Sequence, residues 1–220
     1  MDEELPDRLR AVPVLAGPLP PFDPDGADPA PGRQFARWLD EAVDDGVPEP
    51  HVMTLSTADR EGRPSARVLM LRGLGADACT FVFASAAGSH KGHDLAANPH
   101  AALSWYWPLQ GRQIRAAGAV EVLDADVARE DFLRRREASR IAGFTGRMSA
   151  PLTDAETYDA ERRRAADVVA ADPRAVPAGH TVYRLRADEM EFFQGGEGAF
   201  HVRLHYVRQG GEWRRGLLWP

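Results

Sequence analysis

Residues 191–208 read EFFQGGEGAFHVRLHYVR, and a glycine-rich turn there is followed by His201 and Arg203, two positions apart. If residues 200–208 are extended, side chains alternate between faces. His201, Arg203 and His205 then point one way, and Phe200, Val202, Leu204 and Tyr206 the other. One face is apolar and the other is cationic or titratable. A half-buried hairpin with a solvated outer face has the same alternation, so the pattern acquires meaning only from the rest of the chain. The second stretch that could do chemistry is GSHKGH, residues 88–93. Lys91 is the only lysine among 27 basic residues. An ammonium is a compact point charge on a flexible stem and a guanidinium a broad planar fork, so a lone lysine in a chain that uses arginine everywhere else reads either as a site that needs the compact form or as chance retention of one exposed lysine. Gly88-Ser89-His90-Lys91 opens a predicted helix, where free backbone N–H groups and the positive dipole end favour an anion such as phosphate. Neither the G-x-x-x-x-G-K-[ST] loop nor the G-x-G-x-x-G fingerprint is present.

Other candidates carry less. His201 and His205 could ligate a metal, but no third ligand accompanies them, and no metal site is expected. Cys79 is the only cysteine, which excludes an intramolecular disulfide and a cysteine-built metal site. The runs RRRE and ERRR read as solvated helix faces, and Trp105, Tyr106 and Trp107 as core or interface residues.

The elements that must position these residues follow from periodicity. The chain of 220 residues, 44% hydrophobic, is long enough for one substantial core. Residues 1–31 are rich in proline, aspartate and glycine and read as a flexible arm, ahead of a single domain over 32–220. Phe35, Trp38, Leu39, Ala42 and Val43 recur at helical spacing, which predicts a helix over 33–46. HVMTLST and SARVLMLRGL predict two strands joined by a polar turn, and CTFVFAS predicts a third. Two more follow in HAALSWYWPL and RQIRAAGAVEVL. Residues 125–138 and 153–170 read as charged amphipathic helices, and TVYRLRADEMEFFQ returns to strand. Six or more strands with peripheral helices suggest an antiparallel barrel. A net charge of −6 argues against a general nucleic-acid binder. No apolar run approaches the ~20 residues of a membrane span and no signal peptide is visible, so a cytoplasmic protein without a membrane partner is expected.

The series TLSTADREGRPSARVLMLRGL, FVFASAAGSHKGHDLAANP, RQIRAAGAVEVL and EFFQGGEGAFHVRLHY resembles, in order and spacing, the pyridoxamine 5′-phosphate oxidase family of FMN-dependent enzymes, from about residue 35 to the C-terminus. The resemblance implies a mainly β fold with peripheral helices, an antiparallel, Greek-key-like FMN-binding split β-barrel. It implies that Arg67, Val68, Leu69, Met70 and Leu71 lie along FMN, with Arg67 and Lys91 at its phosphate, Ala84 and Ser85 near it, and Ser89 and His90 in the loop between. Gln113 would meet the flavin ring. Ser149, Phe193 and Arg203 would complete the pocket, in this family from the partner subunit of a homodimer with shared flavin sites. Arg203 would face the N1–C2=O edge of the ring, where a cation stabilises the charge of reduced flavin, and His201 would lie on the substrate side; these two are the expected catalytic residues.

The substrate side departs from the family pattern. Positions that in the vitamin B6 oxidases hold lysine, tyrosine, arginine and serine are here Arg72, Asp131, Arg135 and Ser139, and Ala199 replaces an arginine two residues before His201. His90, Met148 and Phe193 stand where arginine, glutamine and tryptophan are usual, and PAGHTVYRLR replaces a tryptophan-Gly-Gly element. An acid at 131 and a methyl at 199 would oppose a phosphate. The implied activity is an oxidase that passes a hydride from substrate to flavin with O2 as acceptor. Its substrate is a B6 phosphate or, as in the phenazine-biosynthesis branch, a reduced ring compound. The alternative is a flavin-binding or flavin-reductase-like split barrel without oxidase turnover.

Overall fold

A computed structural model describes residues 4–145, 148–196 and 200–220. Among them run nine strands: β1 (Val52–Ala58), β2 (Pro64–Met70), β3 (Gly73–Gly75), β4 (Thr80–Ala86), β5 (His100–Trp107), β6 (Arg112–Val122), β7 (His180–Gln194), β8 (Val202–Gln209) and β9 (Glu212–Leu217). All pair antiparallel in one sheet of order β2-β1-β5-β6-β7-β4-β3, with β8 on β7 and β9 on β8. The sheet curls into a half-barrel with helices at its periphery. Its longest strand, β7, lies along β6 but changes its other neighbour, from β4 at residues 180–186 to β8 at residues 189–194. The change of neighbour lies opposite an irregularity in the β6–β7 register between Ala117 and Gly118. A Cβ on Gly118 would collide with the Arg186 carbonyl oxygen, so glycine is needed for the strands to approach.

Among the described residues six α-helices accompany the sheet: α1 (Glu4–Arg10), α2 (Pro31–Asp44), α3 (His90–Ala97), α4 (Ala125–Leu133), α5 (Glu137–Gly143) and α6 (Ala155–Ala171). The helix expected over 33–46 starts two residues earlier, because Pro31 takes the first-turn position where its missing N–H costs nothing. The helix expected over 125–138 is two helices, broken across Arg134-Arg135-Arg136, where no apolar side chain holds the turn to the core. Asp154 caps α6 through the Thr157 N–H at 2.6 Å.

The core forms where α2 plugs the open side of the sheet. Phe35 and Trp38 are fully buried and meet Phe81, Trp105 and Phe192 at ring-centroid distances of 4.6–5.2 Å. Trp105 and Trp107 point inward and only Tyr106 between them is exposed, as the pleat requires. The segment expected as a flexible arm carries α1, and its second half is packed. Phe22 stands edge-on to Trp38 at 4.9 Å, and the Asp28 carbonyl accepts the Tyr206 hydroxyl at 2.7 Å. Phe200, expected on the apolar face, precedes the start of β8 and is 84% exposed.

Candidate active site

The Lys91 end of the site is built by the passage from β4 into α3. Ser89 is the N-cap: its hydroxyl donates to the Ala86 carbonyl at 2.7 Å and accepts the Gly92 N–H at 3.3 Å. A Cβ on Gly92 would strike the backbone of Ala86 and Ala87, so this position keeps α3 pressed against the end of β4. Lys91 is 8% exposed, and its ammonium donates to the hydroxyls of Ser85 (3.1 Å) and Ser89 (3.3 Å). Among the described residues it makes no ion pair. Arg67 stands nearby on β2, held by the Leu55 carbonyl, Thr57 and Ser65 at 2.7–3.2 Å, with Asp94 at 3.8 Å and fixed in turn by Thr57. Burial pushes the Lys91 ammonium below its ordinary value, and the Arg67 charge pushes it the same way. Burial also lowers Arg67, against the pull of Asp94. Two partly desolvated cations beside a helix N-terminus make a cradle suited to an anion.

The neighbouring residues fall as the pleat dictates. Leu69 and Ala84 line a cleft of about 390 Å³ that runs from Lys91 to Arg135 and His180. Val68 and Met70, on the opposite face of β2, are exposed, so only their backbone can follow a ligand in this cleft. Leu71 packs against the core. The His90 imidazole lies 3.3 Å from the Ser65 hydroxyl, while the His90 backbone N–H donates to the Ser149 hydroxyl at 3.5 Å. Ser149 thus reaches α3 within the same chain, where the family resemblance implied a partner's residue.

Arg135 and His180 line the far end of the cleft, and Asp131 lies beside them among three donors. Its Oδ2 accepts Arg135 Nη2 at 2.8 Å and Nε at 3.1 Å and lies 2.9 Å from His180 Nε2; Arg72 Nε is 3.9 Å from Oδ1. Burial pushes this carboxyl up, but His180, Arg135 and Arg72 together outweigh it and hold it below the usual range. Ser139 is exposed on α5 and its side chain joins none of them.

The remaining expected residues gather elsewhere. Gln113, Phe193 and Arg203 are cross-strand neighbours on β6, β7 and β8. The Phe193 ring lies 5.0 Å from His201, whose Nδ1 accepts the Gly196 N–H at 3.2 Å. Arg203 donates to Glu191 at 2.7 Å and to the Trp219 carbonyl at 2.8 Å, and the Glu191 contact raises its pKa. Ala199 lies outside the described residues. His180 opens β7 and Phe193 nearly closes it, a run of roughly 40 Å for a straight strand at about 3.3 Å per residue. Cys79 takes no part: burial pushes its thiol to about 12.

Thr57, Asp94, His180 and Glu191 were not singled out from sequence. Asp94 and Lys91 share one helix, a signal of sorts, but nothing local marks His180 as a partner of Asp131.

Residues 39–192 match the family model described as pyridoxamine 5′-phosphate oxidase, and residues 180–220 that of the pyridoxine 5′-phosphate oxidase C-terminal dimerisation region. The chain belongs to the pyridoxamine 5′-phosphate oxidase family. Within that oxidoreductase family, curated relatives named pyridoxine/pyridoxamine 5′-phosphate oxidase include those of Rubrobacter xylanophilus (39% identical over 198 residues, 89% of each chain) and Polynucleobacter asymbioticus (42% over 187 residues, 84% of this chain and 87% of the relative). Among solved structures, PhzG from Burkholderia lata 383 in complex with tetrahydrophenazine-1-carboxylic acid superposes with a TM-score of 0.85 at 26% identity, covering 93% of this chain and all of the other. A pyridoxamine 5′-phosphate oxidase-related, FMN-binding protein from Nostoc punctiforme has the same fold, with a TM-score of 0.70 at 20% identity over 87% of this chain and 98% of that one. No helix among the described residues is long and apolar enough to cross a membrane.

Proposed function

We propose that this member of the pyridoxamine 5′-phosphate oxidase family is a cytoplasmic, homodimeric FMN-dependent oxidase of a reduced ring substrate. The observation that carries the reading is the buried Lys91 ammonium, satisfied only by two hydroxyls, with Arg67 close by. That donor set fits the phosphate of FMN: a near-dianion supplies the charge that Lys91 lacks and gains charge-assisted hydrogen bonds from a point cation, a guanidinium and a helix N-terminus. FMN, when bound, supplies a two-electron acceptor that takes a hydride from a substrate carbon and hands the electron pair to O2, giving hydrogen peroxide.

The chain's own residues do the rest. Lys91, Arg67, Ser85 and Ser89 bind and orient the phosphate, and Leu69 and Ala84 exclude water beside it. Gln113, Phe193, His201 and Arg203 sit at the other end of β7 from this cradle, so they serve a second copy's site, consistent with the match of residues 180–220 to a dimerisation region. Arg203 is the cation for the ring's electron-rich edge, and His201 is placed on the substrate side. Two ring substrates fit the names of the relatives: pyridoxine or pyridoxamine 5′-phosphate, and a reduced phenazine-like carboxylic acid. The Asp131 cluster favours a substrate of the second kind.

Purified protein should be yellow, with about one FMN per chain. Lys91→Ala should weaken flavin binding roughly 10- to 100-fold, since a lost charge-assisted contact costs about 1.5–3 kcal/mol. Flavin absorbance and a fluorescence titration measure both. A colourless wild type, or full affinity in the variant, would sink the proposal.

A further inference from the structure

Asp131 is not a surface acid that happens to lie near a cleft. Its carboxylate is 17% exposed and is gripped from three separate parts of the fold: Arg135 just beyond α4, Arg72 between β2 and β3, and His180 at the first position of β7. His180 is 5% exposed and packs on the Phe132 ring at 5.0 Å, while the Arg135 guanidinium lies 5.8 Å from the same ring on its way to Asp131. The two arginines are therefore already engaged by an anion that the chain itself provides. Asp131 and Arg135 are also four residues apart, a spacing that keeps their side chains within reach of one another. A phosphate monoester arriving at Arg72 and Arg135 would find them paired and would face the Asp131 carboxylate at hydrogen-bonding range, where like charges repel strongly.

We propose that Asp131 is the resident anion of the Arg72–Arg135 subsite, and that the ring compound admitted beside it carries no phosphate. The substrate class is a non-phosphorylated reduced heterocycle, neutral or singly negative at this end. This rests on the oxidase reading above and adds the specificity of its substrate end. Asp131 is a specificity-determining residue and His180 the positioning residue that fixes its carboxylate. The two positions act as a pair, since His180 gives the carboxylate a donor that does not compete for the substrate.

The test compares two non-oxidisable probes that differ only in phosphate, 4-deoxypyridoxine and 4-deoxypyridoxine 5′-phosphate, by calorimetric titration of the holoprotein. Wild type should bind the phosphorylated probe no more tightly than the other. Asp131→Asn should shift the affinity ratio toward phosphate by about tenfold or more, the scale of one charge-assisted contact restored, and His180→Gln should shift it the same way by less. A wild type that prefers the phosphorylated probe by about tenfold or more, or an Asp131→Asn ratio equal to wild type, overturns the inference. The wild-type ratio decides even if a variant fails to fold. Flavin absorbance is read on every sample: colourless protein overturns the oxidase reading, whereas yellow protein that prefers phosphate overturns this inference alone.

Discussion

Lys91 is a cation whose partners are neutral hydroxyls, which makes its proton the weakest point of the cradle. Burial and then Arg67 lower its pKa from the ordinary 10.5, so the ligand-free chain releases that proton earlier than a free lysine does. Affinity for a phosphate anion should accordingly fall on the alkaline side before pH 10.5 is reached. Lys91→Arg, charged throughout that range, should lose this limb of the profile even if it binds less well at neutrality. Flavin dissociation constants measured from about pH 7 to 11 test the point; identical alkaline profiles for the two proteins would refute it. Without ligand the same depression has the opposite sign for folding. Holding the ammonium costs stability at neutral pH, and the cost is relieved as pH rises through the lowered value, where the unfolded chain still binds the proton. At this scale the sequence was informative where a residue type stood out. A lone lysine among arginines could be noticed, and so could an acid at 131. The resemblance put Arg72 and Asp131 on one side of the site, but that His180 would join them could not be read, because it lies more than 45 positions from Asp131 and no local pattern links the two.

The elements were easier to read than the contacts between them. Alternation in β1 and β8 and helical spacing in α2 are local properties set by which side chains must leave water, so strands and helix emerge from period alone. The break between α4 and α5 is different, since charged residues form helices readily and only the structure shows that Arg134 and Arg136 are exposed while Arg135 turns back onto Phe132 and Asp131. The arm was misleading for a related reason. Its composition is that of a flexible linker, yet Phe22 and a few backbone carbonyls suffice to fasten its second half to Trp38, Tyr206 and Arg215. Trp38 is the shared contact of arm, α2 and β7. Trp38→Ala should cost about 3–5 kcal/mol of unfolding free energy, the usual range for a fully buried large aromatic. Phe22→Ala should cost less, because Phe22 is only partly buried. Urea denaturation of both variants checks the ranking, and an equal or reversed order would show that the arm is a structural element in its own right.

For the whole molecule, β7 separates two half-sites. Its first residues border the Lys91–Asp131 cleft and its last carry Phe193 toward Gln113 and Arg203. If each flavin takes its phosphate contacts from one copy and its ring contacts from another, light scattering should show a dimer. Subunits carrying Lys91→Ala or Arg203→Ala alone should then bind flavin poorly, whereas an equal mixture, unfolded and refolded together, should regain about a quarter of the sites, since half the dimers are mixed and each mixed dimer holds one intact site. No recovery on mixing, with both variants folded and dimeric, would mean that each chain builds its own site.

The solitary lysine also has a practical consequence. Apart from the amino terminus, this chain offers acylating reagents a single primary amine, and that amine lies 8% exposed against the floor of the cleft. A mass spectrum of the peptide that carries Lys91, taken after brief treatment with an activated ester, would therefore report modification at one internal address, separate from the amino terminus. The speed at which that peak grows would clock how often the cleft admits solvent, and its disappearance on adding a nucleotide would footprint the occupied cradle without any assay of turnover.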